Sequence, residues 1–313
     1  MVVTRKTALE ELVERLNSRD QASFYLQQNG VAFSEYEAAD AQYQRAVAEL
    51  RAQIPSGLKR QFLDRSLLPT YQFGDHDLVV TLGPDGLVVN VAKYLAQQPI
   101  LALNPDPARV DGVLIPFRVA EAGAQIERAR RGVASIAQVF MAQAQLNDGQ
   151  VIYAVNDLFI GTRGHGSARY TLELEGRREQ HSSSGIIIST GAGCTGWLRS
   201  VVTGAWQVVR HFDDELAPQP PGPEKLNLGW ESERLWFSVR EPFVSKLSRA
   251  ELVFGQIDPG EELVITSQMP DNGLIFSDGI ESDYLSFNAG LIARVRVAER
   301  KAHLITRMSG SQC

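Results

Sequence analysis

The chain has 313 residues, 44% of them hydrophobic, so it can bury a sizeable core in one large or two medium domains. Its formal net charge is −6, and its Lys and Arg residues are scattered, which argues against a nucleic-acid or membrane partner. No apolar run approaches the length of a membrane span, and the N-terminal segment becomes charged too early for a signal peptide. We therefore expect a cytoplasmic protein.

The cysteines and histidines indicate neither a disulfide framework nor a metal centre. The two cysteines, Cys194 and Cys313, are too few for a disulfide scaffold. The five histidines show no ligand-like spacing with each other or with cysteine. We expect no metal site built from protein side chains.

Strands and helices alternate in the first 130 residues. Apolar patterning predicts strands at residues 2–4, 77–82 and 99–105. Helical spacing and stop signals predict helices at residues 8–16, 36–53 and 87–97. Alternation of this kind implies parallel pairing through β-α-β crossovers. The prediction for residues 1–133 is an α/β domain with a Rossmann-like parallel sheet, in which ligands bind at the carboxyl ends of the strands.

After about residue 133 the pattern changes to short strands. Asn147-Asp148-Gly149, between two alternating segments, predicts a β-hairpin. Further strands are predicted at residues 168–176, 181–190, 234–239, 250–257, 261–268, 272–279 and 293–299. A helix is predicted over residues 196–212, and the proline-rich residues 217–225 predict a surface loop. We therefore expect a mostly antiparallel β domain at 134–290, with residues 291–313 returning to the first domain.

The turn Gly83-Pro84-Asp85-Gly86 follows a predicted buried strand. Consecutive backbone N–H groups in such a turn can bind phosphate oxygens, and Asp85 can accept a proton from an attacking hydroxyl. Pro84 removes one of these N–H donors. Considered alone, the segment is better explained as a plain turn, because proline and glycine both suit turn geometry without any function.

A second glycine-rich segment, residues 189–197, lies between a predicted strand and a predicted helix. Its glycines would let a ligand approach the backbone closely. The hydroxyl groups of Ser189, Thr190 and Thr195 can form hydrogen bonds with a base, a sugar or a phosphate. Asn156 and Asp157 add an amide and a carboxylate that can hold ribose hydroxyls, although this pair is also a common turn dipeptide.

Cys194 offers an alternative interpretation of the same segment. A cysteine on a strand–turn–helix resembles a nucleophile elbow, and Asp278 and His303 follow it in a permitted order for a hydrolase triad. Against this, Ala192 occupies the place of the first glycine of that motif, and the predicted sheet is not parallel. The hydrolase is therefore the less favoured alternative.

In this order the three segments resemble the NAD kinase family. The family's Gly-Gly-Asp-Gly-Thr turn corresponds to residues 83–87, its Asn-Glu pair to 156–157 and its nucleotide loop to 190–197. Residues 104–107 before Gly112, and 159–161 followed by Ser167 and Arg169, look most like the mitochondrial-type branch. The resemblance covers residues 72–200 well and the flanking residues in layout only.

The resemblance implies a function as well as a fold. The family transfers the terminal phosphate of ATP, with Mg²⁺, to the 2′-hydroxyl of the adenosine ribose of NAD. Asp85 would be the general base or would orient that hydroxyl. The residues implied to bind the phosphate donor are Gly83, Gly86, Lys6 and Arg5. The residues implied to bind NAD are Asn156, Asp157, Ser184, Thr190, Ala192, Gly193 and Thr195. A homodimer or homotetramer is the expected assembly.

Several positions depart from the family pattern. Pro84 deletes a backbone donor and Leu87 deletes a hydroxyl, and a lost hydrogen bond to a charged group costs about 1.5–3 kcal/mol. Asp157 is one methylene shorter than glutamate, Ser184 replaces an aspartate and Cys194 replaces a serine. Three functions therefore stay open: an NAD kinase, a kinase for another hydroxyl acceptor, and a dinucleotide-binding protein that transfers no phosphate.

Overall fold

The computed structural model describes residues 1–212, 226 and 228–307. The chain divides into two compact units, one comprising Met1–Ala137 with His303–Cys313 and the other comprising Gln138–Ala302. We call the first the N-terminal unit and the second the β-rich unit. None of the described helices is long and apolar enough to cross a membrane.

The N-terminal unit is built on parallel strands. These are β1 (Val2–Thr4), β2 (Phe62–Asp64), β3 (Val79–Leu82), β4 (Pro99–Asn104) and β5 (Phe117–Arg118). The helices are α1 (Ala8–Leu16), α2 (Arg19–Gln28), α3 (Phe33–Gln53), α4 (Asp85–Ala92) and α5 (Ala122–Arg130). The strand order is β2-β1-β3-β4, with β5 next to β4, and every one of these pairs is parallel. The predicted α/β architecture is confirmed.

The core of this unit explains why β3 and β4 are continuous apolar runs. A parallel sheet is covered by helices, so its central strands are buried on both faces. All four residues of β3 are buried. Helix α3 buries Tyr43, Ala46 and Leu50, which share one face at helical spacing, in the same cluster as Leu82.

The β-rich unit contains short antiparallel strands. They are β6 (Ser135–Leu146), which begins in the N-terminal unit, β7 (Val151–Ala154), β8 (Asp157–Thr162), β9 (Ala168–Leu174), β10 (Arg177–Ser183), β11 (Ile186–Ser189), β12 (Leu235–Val239), β13 (Phe254–Ile257), β14 (Leu263–Ser267), β15 (Gly273–Ser277), β16 (Ile280–Ser286) and β17 (Ile292–Thr306). Helix α6 (Trp197–Phe212) follows β11.

Two sheets share one apolar core in this unit. The first has the order β13-β12-β11-β8-β15-β16, and the second contains β10-β9-β14-β17 together with β6 and β7. The pairs within the first sheet, and β10 with β9, β9 with β14 and β14 with β17, are antiparallel. Tyr170, Phe237 and Phe287 are fully buried in the cluster that both sheets line. The mostly antiparallel architecture predicted for the second half is confirmed. Strand β17 ends with His303 and Leu304 in parallel register with β4.

The structure corrects several element predictions. The helix predicted at 87–97 spans Asp85–Ala92, because the chain continues in tight turns after Ala92. The strand predicted at 181–190 is two strands in different sheets, separated at Gly185, whose φ of +102° suits glycine. Helices α2 and α5 and strands β2, β5 and β16 were not predicted. The loop predicted at 217–225 lies outside the described residues.

Candidate functional site

The Gly83–Gly86 turn joins the end of β3 to the start of α4, which places it at the carboxyl end of a parallel strand. Pro84 is the N-cap residue of α4, and its side chain caps none of the backbone N–H groups that open the helix. Leu87 is buried and fills the space beside Gly83, where a Cβ would lie 2.8 Å from its Cδ2. Packing inside the unit therefore explains why position 87 holds a leucine and position 83 a glycine.

The carboxylate of Asp85 binds the backbone of a neighbouring loop. Oδ2 accepts the N–H of Val113 at 2.9 Å, and Oδ1 accepts the N–H of Leu114 at 3.0 Å. Burial raises the pKa of Asp85, and the two backbone N–H groups oppose that shift. A carboxylate offers about four lone-pair positions, so each oxygen keeps capacity for a further donor. Asp85 therefore anchors this loop and keeps acceptor capacity for one further donor on each oxygen.

Gly112 allows the loop to approach Asp85. Its φ is +52°, and a Cβ there would lie 2.0 Å from Cγ1 of Ile115 and 3.2 Å from Oδ1 of Asp85. Only glycine fits such a position without displacing its neighbours. The sequence Asn104-Pro-Asp-Pro followed by Gly112 thus encodes a loop that closes onto the carboxylate.

A cavity of about 720 Å³ lies in the N-terminal unit, and we call it the strand-end cavity. Its lining includes Arg5, Gly83 and Pro84, which come from the segments after β1 and β3. Lys6 does not line it, because its Nζ pairs with Glu14 at 2.6 Å on the surface. Of the two cations implied to meet the donor phosphates, the structure brings Arg5 to the cavity and directs Lys6 elsewhere.

Tyr43 organises the floor of the strand-end cavity and was not predicted as a site residue. Its hydroxyl accepts the N–H of Arg5 at 3.1 Å and donates to the carbonyl of Leu82 at 2.9 Å. Burial raises the pKa of Tyr43, which keeps the hydroxyl protonated and able to donate. The segment carrying Arg5 and the segment leading into Gly83 are therefore joined through one side chain.

In the β-rich unit, Asp278 holds the turn that carries Asn156 and Asp157. Its carboxylate accepts the backbone N–H groups of Val155, Asn156 and Asp157 at 3.1, 2.7 and 3.2 Å. Its own N–H donates to the carbonyl of Asp157 at 2.9 Å. Asp278 has a φ of +53°. Three successive N–H groups on one carboxylate fix the backbone of this turn.

Asp157 is a half-buried acid beside this anchor. Its Oδ1 accepts a short hydrogen bond from the hydroxyl of Ser189. Burial, together with the charge of Asp278, raises the pKa of Asp157 to about 7, although the Ser189 hydroxyl opposes the shift. At neutral pH this carboxyl exists in both protonation states, so it can act as a hydrogen-bond donor or as an acceptor.

The loop after β11 uses its polar groups within the protein. The Thr190 hydroxyl donates to the carbonyl of Val155 and accepts the N–H groups of Ala192 and Gly193 at 3.1 and 3.2 Å. A Cβ on Gly193 would lie 2.2 Å from the carbonyl oxygen of Asn156. Close packing of the loop against the Asn156 turn therefore explains Gly193, and the Thr190 hydroxyl serves as a loop anchor.

The remaining residues of the implied NAD set differ in exposure. Thr195 is exposed, Ala192 and Ser184 are half-buried, and the N–H of Ser184 donates to the carbonyl of Arg240 at 2.9 Å. Gly191 packs closely, since a Cβ there would lie 1.7 Å from the carbonyl oxygen of Gly229. Thr195 is therefore the most exposed side chain among these residues.

The structure gives no support to the cysteine-hydrolase alternative. Cys194 is buried, its Sγ lies 3.1 Å from the carbonyl oxygen of Thr190, and burial raises the pKa of its thiol to about 11. A nucleophilic cysteine needs an accessible thiolate, which these surroundings disfavour. Asp278, the proposed acid of that triad, engages its carboxylate with backbone N–H groups.

Comparison with known proteins supports the fold. No protein-family profile and no curated protein sequence match the chain. Among solved structures, the chain is similar to an NAD kinase from Archaeoglobus fulgidus, determined in complex with ATP, with a TM-score of 0.55 and 13% sequence identity. The alignment covers 98% of this chain and 93% of that chain. At this identity the similarity shows a shared fold.

Replacing Asp278 with Asn tests the anchor in the β-rich unit. Asparagine tolerates a positive φ, so the change removes the charge without straining the backbone. We expect the free energy of unfolding to fall by about 1–3 kcal/mol, because the amide cannot satisfy three N–H groups. Urea denaturation measures the loss, and the exposed Asp271→Asn serves as the control. Equal stability of the two variants would contradict the anchoring role.

The raised pKa of Asp157 predicts a pH-dependent stability. The folded carboxyl titrates at about 7 and a free one at 3.8, so the folded state binds the proton more tightly. Its stabilising contribution is therefore complete at acid pH and is lost as the pH rises through about 7, by an amount on the order of 4 kcal/mol. Urea denaturation between pH 4 and 8 should show that the wild type loses stability relative to Asp157→Asn as the pH rises. Parallel stability–pH profiles for the two proteins would contradict this prediction.

Burial of Cys194 predicts that its thiol reacts slowly with alkylating reagents. In a Cys313→Ser background, we expect iodoacetamide to modify native protein far more slowly than urea-denatured protein, because the buried neutral thiol is a poor nucleophile. Mass spectrometry of the alkylated chain measures both rates. Rapid modification of the native protein, accompanied by loss of an esterase activity, would restore the hydrolase alternative.

Proposed function

We propose that this protein is a phosphotransferase that moves the terminal phosphate of ATP to the 2′-hydroxyl of the adenosine ribose of NAD, giving NADP. The observation that carries the proposal is the strand-end cavity, which has Gly83, Pro84 and Arg5 in its lining and lies at the carboxyl ends of parallel strands. Ligands of open α/β sheets bind at such ends. The similarity to the fold of an ATP-bound NAD kinase supports the same function.

Asp85 would act on the acceptor hydroxyl. Burial raises its pKa, which brings the carboxylate closer to the proton affinity that a general base needs. The N–H groups of Val113 and Leu114 fix its orientation and leave lone pairs for the ribose hydroxyl. Transfer of a phosphoryl group depends mainly on positioning and on charge neutralisation, and a fixed carboxylate supplies the first of these.

Charge neutralisation at the strand-end cavity would come from Arg5 and Arg109, which both line it, and from Mg²⁺ that enters with ATP. The cavity is also lined by the carboxylates of Glu35, Asp40 and Asp106, which would repel a bare phosphate chain. Carboxylate oxygens are suitable ligands for Mg²⁺, so this lining fits a phosphate chain that carries the ion. No group of three or more candidate metal-ligating side chains occurs within the described residues, so the ATP phosphates would supply most of the ligands.

On the acceptor side, the Asn156-Asp157 turn would hold NAD. Asp278 fixes the backbone of this turn, so the two side chains leave it in a defined direction. The carboxyl of Asp157 can accept a hydrogen bond from a ribose hydroxyl or donate one. Thr195 and Ala192 would contact the adenosine part, while Thr190 and Gly193 would shape the loop.

A second candidate function is dinucleotide binding without phosphate transfer. Two observations favour it: Pro84 lacks one N–H donor of the turn, and both oxygens of Asp85 already bind a loop. In that case NAD would bind with no formation of NADP. A third candidate keeps the phosphate transfer and uses another hydroxyl acceptor.

The decisive measurement is NADP formation by the purified chain with ATP, Mg²⁺ and NAD. We expect turnover by the wild type and a loss of at least a hundredfold in Asp85→Asn, since general-base catalysis contributes about 10²–10⁴-fold. Calorimetry with NAD on the same samples separates binding from transfer. NAD binding without NADP would establish the second function, and absence of both would overturn the proposal.

The Asp85→Asn result needs a control for the loop anchor. Asparagine also presents an NH₂ group to Val113 or Leu114, which weakens the loop. Gly112→Ala disturbs the same loop and keeps the carboxylate group of Asp85, because its Cβ would clash with Ile115 at 2.0 Å and lie 3.2 Å from Oδ1 of Asp85. If Asp85 acts on the substrate, Asp85→Asn should lose far more turnover than Gly112→Ala at equal loss of stability. Equal losses in turnover would assign Asp85 a structural role only.

A further inference from the structure

The β-rich unit contains a second cavity, of about 540 Å³, which we call the basic cavity. One wall is the stretch of β10 from Arg177 to Gln180, and the other is formed by residues of the 246–252 segment. None of these residues belongs to the set that the proposed phosphotransferase uses. The basic cavity therefore requires its own explanation.

Positive charge dominates the lining of the basic cavity. The four basic residues are Arg177, Arg178, Lys246 and Arg249. All four are exposed, and none forms an ion pair within 4.0 Å with any residue that the structure describes. Arg177 interacts at longer range with Glu175, which offsets part of its charge. Four basic residues thus line one cavity of a chain whose formal net charge is −6.

The two acidic residues of the lining do not cancel this charge. Glu179 is buried, and its Oε1 accepts the N–H groups of Glu251 and Leu252 at 3.0 and 3.1 Å. The same oxygen lies 2.9 Å from Nε2 of the fully buried His181. Glu179 is therefore engaged with the protein frame, and Glu251 is the exposed acid of the lining. Outside the lining, the exposed Glu173 lies opposite Arg178 in the β9–β10 pair.

The segment that carries Lys246 and Arg249 is held in a fixed shape. The N–H of Ser245 donates to the carbonyl of Ser248 at 3.0 Å, and the N–H of Ser248 donates to Oγ of Ser245 at 3.1 Å. The N–H of Arg249 donates to the carbonyl of Gln180 at 3.1 Å, which joins the two walls. Cations on a preorganised frame bind an anion with less loss of conformational freedom.

We propose that the basic cavity is a binding site for an anion that carries phosphate groups. Arginine and lysine side chains bind phosphate oxygens through charge-assisted hydrogen bonds, and four of them suit an anion with more than one negative charge. The phosphate can belong to a small molecule in solution or to a lipid headgroup. Phe243, Val244 and Leu247 in the same segment are 65%, 65% and 79% exposed and would contact acyl chains in the second case.

The test measures binding of two probes to the full chain. The first probe is inorganic pyrophosphate, whose binding is measured by calorimetry. The second probe is a phosphatidylcholine vesicle, with or without phosphatidylglycerol, whose binding is measured by co-sedimentation. The chain carries Arg5→Ala, so that the strand-end cavity contributes little to pyrophosphate binding. We expect Arg178→Ala with Arg249→Ala to lower the affinity at least tenfold, because two charge-assisted contacts are lost.

Matched variants make the result interpretable. Arg178→Lys with Arg249→Lys keeps the charge and should retain most of the affinity. Lys59→Ala with Arg199→Ala removes the same charge from exposed positions elsewhere and should leave binding unchanged. Pyrophosphate binding that depends on Arg178 and Arg249 assigns a soluble ligand. Binding to anionic vesicles alone, weakened also by Phe243→Ser with Leu247→Ser, assigns a lipid headgroup.

Two results would overturn the proposal: neither probe binds, or binding is the same in the double alanine variant and in its Arg5→Ala parent. Circular dichroism of each variant establishes that the loss of binding is not a loss of folding. The NADP assay is independent of these measurements, since it reports on Asp85 and the strand-end cavity. Failure of one proposal therefore leaves the other intact.

Discussion

The three hydrogen bonds from successive backbone N–H groups to the carboxylate of Asp278 define the candidate site of the β-rich unit. They fix the chain at residues 155–157, where β7 leads into β8. The Thr190 loop then packs on this turn, because the N–H of Thr190 donates to the carbonyl of Asn156 at 2.9 Å. Without the carboxylate, the N–H groups of Val155, Asn156 and Asp157 would lose their partner, and the loop would lose its support.

This anchor also sets the chemistry of Asp157. A carboxyl that is buried next to a charged carboxylate holds its proton to a higher pH, and here both causes act on Asp157. The backbone N–H groups of residues 155–157 stabilise the carboxylate of Asp278. A structural carboxylate therefore tunes a candidate functional one. The arrangement costs stability at neutral pH, which is typical of groups that serve a ligand.

The same type of bond occurs in the N-terminal unit with a different consequence. Asp85 accepts two successive N–H groups, whereas Asp278 accepts three, so Asp85 keeps more acceptor capacity. Both carboxylates are half-buried, so the difference between them is the number of backbone donors. The number of backbone donors thus separates a carboxylate that only holds the chain from one that can also take part in a reaction.

The sequence was sufficient to predict the fold class and the position of the Gly83–Gly86 turn, because both follow from local patterns of apolar residues and glycine. It could not predict the partner of Asp278, which lies 121 to 123 residues away along the chain. Gly193 was interpreted as room for a ligand, and the structure shows that Asn156 occupies that room. Tyr43 was missed because a tyrosine within a helix gives no local signal of the two loops that it joins. Spacing along the chain identifies candidate groups, but only the tertiary hydrogen bonds distinguish an anchor from a group that is available to a ligand.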